Sequence, residues 1–156
     1  GVGLVGMHKA AEEFASLGLT DDVPGFYAAQ ATGCAPIVAA FEEGKEVHEA
    51  WEHPDTICGG IEIPDPGASP LILEALRESD GGAVATSDQD ILDAAITVAQ
   101  NEGVEMGATC SAAASGAWEL SQRGEFDEDD TVVLLNTGHG SKDDDVLRSH
   151  LMSKGI

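Results

Sequence analysis

Two stretches of this chain combine residue types and spacing that could do chemistry. It opens Gly1-Val2-Gly3-Leu4-Val5-Gly6, a G-x-G-x-x-G run that leads into a helical pattern. Glycines in that position let backbone N–H groups close on a phosphate at the positive end of a helix. Three readings fit the run: a dinucleotide fingerprint, a loop for a single phosphate monoester, or glycines that only permit close helix–sheet packing. The dinucleotide reading needs an acid roughly 20 residues on, at the end of the next strand. The strand expected there ends Ala29-Gln30-Ala31-Thr32, with no acid. The second stretch is Leu135-Asn136-Thr137-Gly138-His139-Gly140-Ser141-Lys142-Asp143, in which two glycines flank a histidine beyond an apolar, β-branched run. His139 could serve as an acid or base, but shaping the loop through backbone hydrogen bonds is the favoured role.

Other constellations are weaker. His48, His53 and Cys58 match no common zinc spacing, so no metal is expected there. Cys110 reads as a small buried residue rather than a nucleophile, and Trp51 and Trp118 as packing residues. The acidic run 127–130 reads as a solvated turn, and Asp143 to Asp145 as negative charge at a helix start.

The elements that must position these loops alternate between helix and strand. Helical patterns cover 4–17, 36–43, 71–78, 91–100, 110–122 and 143–152, several stopped by Gly18, Gly44 and Gly124. Ser69-Pro70 reads as an N-cap with Pro at the first helical position, and Ser87 with Asp90 as a capping box. Strand signals fall at 26–31, 83–86 and 131–135, the last the clearest buried strand, with a short candidate at 103–106. The alternation predicts an α/β fold with a mostly parallel sheet flanked by helices. Ligands of such sheets gather where strand C-termini meet helix N-termini. The loops before Leu4, after Ile57 and after Leu135 are therefore the places to look.

Composition bounds the function. The chain has 156 residues, 42% of them hydrophobic, enough for one domain with a real core. Its 29 acidic residues against 7 Lys and Arg give a net charge of -22. That surface repels nucleic-acid backbones and anionic membranes. Spread along the chain with lysine scarce, it suggests adaptation to high salt. Cys34, Cys58 and Cys110, an odd count at wide spacing, fit a reducing cytoplasm rather than a disulfide framework. No apolar run is long enough for a membrane span.

With these motifs in order, the sequence resembles the threonine synthases, fold-type-II enzymes dependent on pyridoxal 5'-phosphate (PLP). Thr-Gly-His-Gly-x-Lys-Asp at 137–143 is similar to that family's C-terminal loop. The segment 28–38 resembles its Val-Gln-Ala-Glu-Gly-x-x-Pro-Ile stretch, 56–63 the stretch before its Gly-Asn-Pro turn, and 111–120 its alanine-rich helix. Coverage runs from Gly1 to about Val146. The resemblance implies a lyase that converts O-phospho-L-homoserine and water to L-threonine and phosphate. It implies that Gly1, Val2 and Gly3 cradle the cofactor phosphate, that Gly59 and Gly60 lie beside its ring, and that Thr137 bonds the pyridine nitrogen.

The sequence departs from the family at Gly3, where an asparagine is expected, and at Thr32 in place of a glutamate; Gly107-Ala108 stands where the family has Glu-Pro. Threonine dehydratase and cysteine-synthase-like enzymes of the same fold therefore stay open, as does a dinucleotide-binding domain. The lysine that would carry PLP covalently is not among Lys9, Lys45, Lys142 and Lys154, none of which has the family's surroundings. Residues 1–156 are thus expected to be the C-terminal part of a longer enzyme, inactive alone. Its expected partners are a small amino-acid substrate and, as an open option, a second copy in a homodimer.

Overall fold

The computed structural model describes residues 1–155. Helix α1, Val2–Ser16, leads into strand β1, Tyr27–Ala31, and helix α2, Pro36–Glu42. Helix α3, Ser69–Glu78, strand β2, Gly82–Thr86, and helix α4, Asp88–Glu102, follow. Helix α5, Ala108–Gln122, a 3-10 turn Gly140–Lys142 and helix α6, Asp144–Ser153, complete the order. β1 and β2 pair in parallel, Tyr27 opposite Gly82 and Ala31 opposite Thr86. The expected α/β architecture with a parallel sheet between helices is present.

The local chemistry explains most boundaries. Gly18, Gly44 and Gly124 all take positive φ just past a helix, the conformation a helix stop requires. Ser87 Oγ accepts from Asp90 N at 3.2 Å, so the capping box starts α4 as expected. Ser69 and Pro70 are shifted by one position: Ala68 is the N-cap and Ser69 already lies inside α3.

The sheet is covered on both faces. Ala83 and Ala85 join Ile37, Val38, Ile72, Leu73 and Leu76 on the α2–α3 side. Val84 points the other way, towards α5, where small side chains let the helix come close. A Cβ on Gly116 would stand 2.9 Å from both Ala29 Cβ and Val84 Cγ1. Ala31, Cys58, Ile91, Ala108 and Ala112 form a second buried group. Each fully buried Leu or Ile contributes about 1.5–3 kcal/mol relative to exposure.

Two expected strands are corrected. Residues 131–135 form no strand: Val132, Val133, Leu134 and Leu135 are exposed, Val133 at 77%. A β-branched run reports suitability for a sheet, but backbone groups pair only where a neighbouring strand offers itself. Here the sheet consists of β1 and β2 alone among the described residues. Trp118, expected to pack, is likewise exposed and lines an open groove of about 430 Å³ with Phe126, Val132 and Leu134. The candidate strand at 103–106 reduces to one antiparallel bridge, Met106 with His139. The bridge anchors the end loop instead of adding to the sheet.

Candidate functional site

The loops expected to carry function collect where β1 and β2 end. β1 leaves the sheet at Ala31 through a turn in which Cys34 N donates to Ala31 O. Gln30, the residue before, turns its side chain onto α2: Oε1 accepts from Ile37 N at 3.0 Å and Val38 N at 3.1 Å. α2 has no capping side chain of its own, so a strand residue satisfies its free donors. This fixes the use of Gln30, next to the position where a dinucleotide site would need an acid.

The 56–60 loop is held from α4. Asp88 accepts from Thr56 Oγ1 at 2.5 Å and from Ile57 N at 2.9 Å. Thr56 Oγ1 in turn accepts from Cys58 N at 3.1 Å. Gly60 N donates to Thr109 Oγ1 at 3.2 Å, and a Cβ on Gly60 would come within 2.8 Å of Thr109 Cγ2. A Cβ on Gly59 meets nothing within 4 Å, so its backbone faces open space. Between them Cys58 is fully buried, with Sγ donating to the Ala108 carbonyl. Burial pushes the Cys58 thiol up to about 11, with Asp88 and Asp143 adding to the rise against the Thr56 hydrogen bond. It is a protonated packing residue at neutral pH, not a nucleophile.

The end loop docks on the start of α5. Gly107 N donates to Gly138 O at 2.9 Å, and Gly140 N to Glu105 O at 3.2 Å. Asp143 reaches back so that Ala108 N donates to its Oδ2 at 2.8 Å. It therefore caps α5, although its place in the sequence suggested α6 alone. Thr137 Oγ1 lies 3.4 Å from Cys110 Sγ and is otherwise exposed. His139 Nδ1 accepts from Ser141 N at 3.1 Å, the loop-shaping role favoured from the sequence, while Nε2 lies 3.6 Å from Glu105.

Gly1 reaches the same end of the sheet by another route. A Cβ on Gly1 would stand 2.2 Å from Ile72 Cδ1, so α1 begins against the first turn of α3. Midway along, α1 lays His8 edge-on to Phe26, just before β1. α1 thus runs against the strand direction, with its N-terminus on the side where the strands finish. Ile72 accounts for the missing side chain at Gly1, which is itself exposed, whereas a Cβ on Gly3 meets nothing within 4 Å, so packing does not account for Gly3.

These residues suit a phosphorylated pyridine. The N-terminus of a 15-residue helix offers exposed backbone at Val2 and Gly3, favourable for a dianion. Thr137 offers a lightly engaged hydroxyl and Gly59 open backbone. Thr86 Oγ1, on the last residue of β2, is buried without a hydrogen-bond partner among the described residues. An orphaned hydroxyl costs about 1–3 kcal/mol, and its place at this rim is consistent with a polar binding region.

The remaining sequence candidates have other uses. His48 Nδ1 lies 2.7 Å from Ser69 Oγ and Nε2 lies 3.0 Å from Asp65 Oδ1, a Ser–His–Asp order. Ser69 is 1% exposed, beyond a substrate's reach, so the trio braces the 47–55 loop against α3. Lys154 closes on Asp93 beside His150 and ties α6 to α4. The sequence did not point to Asp88 or Asp143 as loop clamps. Their only local signal was an acid near a helix start, and their partners are far away in the chain.

Comparison with known proteins gives the family. The family model described as "Pyridoxal-phosphate dependent enzyme" matches residues 1–138. Threonine synthase of Methanosarcina acetivorans is 35% identical over 140 residues, covering 90% of this chain and 35% of that protein. Threonine synthase of Methanocaldococcus jannaschii is 34% identical over 137 residues, 88% of this chain and 34% of its own length. That of Mycobacterium tuberculosis is 35% identical over 145 residues, 93% and 38%. The chain spans about a third of the length of the curated relatives it matches. With the match extending over most of its length, this chain belongs to the pyridoxal-phosphate dependent enzyme family.

Proposed function

We propose that this chain is the C-terminal part of a PLP-dependent lyase that converts O-phospho-L-homoserine and water to L-threonine and phosphate. The observation that carries the reading is that the α1 N-terminus, the Gly59–Gly60 turn and the Thr137 loop all lie on the side of the parallel sheet where its strands end. Similarity to threonine synthases over about nine-tenths of the chain supports the choice of reaction.

Each residue has a role that follows from its chemistry. The backbone of Gly1, Val2 and Gly3 binds the cofactor phosphate at the helix dipole. Gly59 and Gly60 give the ring a flank without side chains. Thr137 donates to, or accepts from, the pyridine nitrogen; a neutral hydroxyl there withdraws less charge than a carboxylate would. Asp88 and Asp143 are positioning residues that hold two of these loops in place. The cofactor itself supplies an electron sink for negative charge developing on the substrate carbon. The lysine that carries it lies, on this reading, in an upstream part of the polypeptide, and the present chain is inactive alone.

Three finer proposals accompany the reading. The acidic surface is an adaptation to concentrated salt, the enzyme works in the cytoplasm, and two copies form a dimer. The test of the main reading is phosphate release from O-phospho-L-homoserine by the complete polypeptide with PLP. Stoichiometric phosphate and L-threonine are expected. PLP binding with deamination of threonine and no phosphate release would reassign the enzyme to a dehydratase. Thr137→Val should lower turnover about tenfold, the worth of one hydrogen bond of about 1.4 kcal/mol.

A further inference from the structure

We propose that His8, Glu12 and Glu78 form a binding site for a first-row divalent transition-metal ion. The site would clasp α1 to α3 at the end of the sheet away from the PLP loops. One imidazole nitrogen and one oxygen from each carboxylate lie within 4.8 Å of one another. His8 and Glu12 occupy positions i and i+4 of α1, with Nδ1 3.8 Å from the carboxylate, and Glu78 ends α3.

The state of His8 points to a ligand. The residue is 6% exposed, and its ring stands edge-on to Phe26 with centroids 5.6 Å apart. No hydrogen bond to its side chain occurs among the described residues, and Glu12 is too distant to supply one. The ring is thus largely buried, makes no hydrogen bond among the described residues, keeps its nitrogens in reach of solvent and is turned towards two acids. Among the described residues neither acid meets a lysine or arginine: nearby Arg77 donates instead to the Lys45 carbonyl and stacks on Phe41. A dication would neutralise both carboxylates and take up the free imidazole nitrogen.

The donor set narrows the ion. One imidazole with two carboxylates suits zinc, cobalt, manganese or iron, and leaves positions for water. Ligand bonds of about 2.0–2.2 Å put neighbouring donors about 3.4 Å apart in a tetrahedron. The buried imidazole is fixed, and the two exposed glutamates can close the difference by rotamer changes. Such an ion would tie down α1, which otherwise rests mainly on α3.

The test is a titration of the complete polypeptide with Co²⁺ in concentrated KCl, which suppresses diffuse binding to a surface to which these residues bring a charge of -22. The expected result is one equivalent bound, a visible ligand-field band, displacement by Zn²⁺ and a Zn²⁺-dependent rise in Tm. Glu12→Gln and Glu78→Gln, both at exposed positions, should each weaken binding at least tenfold and abolish the Tm rise. Glu128→Gln, a distant acid, should change neither. Absence of the band, or equal affinity in Glu12→Gln, Glu78→Gln and Glu128→Gln, would overturn the proposal and leave diffuse cation attraction only.

Discussion

The two ends of the β1–β2 pair are assembled by different means. Where the strands finish, the loops are held by side chains that bond backbone: Asp88 on Ile57, Asp143 on Ala108 and Gln30 on Ile37 and Val38. Where the strands begin, one such tether, Phe26 N donating to Ser79 Oγ at 3.0 Å, joins helix packing and a ring-on-ring stack, with His8 under exposed acids. A binding rim must leave some backbone free for a ligand while fixing the rest. Long-range carboxylate tethers do this without covering Gly3 or Gly59. The opposite end has no such demand and relies on burial more than on tethers.

The contrast breaks most visibly at Asp88. Asp88→Ala strands the Thr56 hydroxyl and the Ile57 N–H together and should cost about 2–3 kcal/mol in urea unfolding. It should also loosen the 56–60 loop in hydrogen exchange. Asp143→Ala removes one cap from α5 and should cost about 1–2 kcal/mol. Without added metal, Glu12→Gln and Glu78→Gln should change stability by less than about 0.5 kcal/mol, as surface changes do. A large loss there would erase the distinction between the ends.

Cys58 sharpens the same point through pH. Folding lifts its thiol from the ordinary 9.0 to about 11, chiefly by burial. Between those values the unfolded chain has lost the proton that the folded chain keeps, so the Cys58 contribution falls as pH rises. Cys58→Ala should flatten that part of the stability profile, and native Cys58 should react with thiol reagents far more slowly than in urea. The smallest effect belongs to α6. Burial would raise the Asp93 carboxyl, but hydrogen bonds from Lys154, His150 and Gln89 outweigh it and hold it below its ordinary 3.8. Its stabilisation is present above that value and is lost as pH falls through the lower folded one. Lys154→Ala should cost at most about 1 kcal/mol.

Much of this was legible in the sequence because the signals are local. Ser87 with Asp90 capped a helix, the three stopping glycines took positive φ, and the alternation of elements gave the parallel pair. The end loop and the glycine-rich start were also readable as site material. What stayed hidden depends on distant partners. Residues 131–135 have a strand's composition but no neighbouring strand, and Trp118 shares their exposure. Asp88 and Asp143 looked like helix-start acids, and only the fold brings Ile57 and Ala108 to them. Glu78 meets His8 for the same reason, through the packing of α3 on α1.

The most direct test is amide hydrogen exchange on the complete enzyme with and without PLP. Slower exchange is predicted at Val2 and Gly3, at Gly59 and Gly60, and from Thr137 to Gly138, with α1 from His8 onward unchanged. Protection confined to other segments, or equal at both ends of the sheet, would contradict the assignment of this rim to the cofactor.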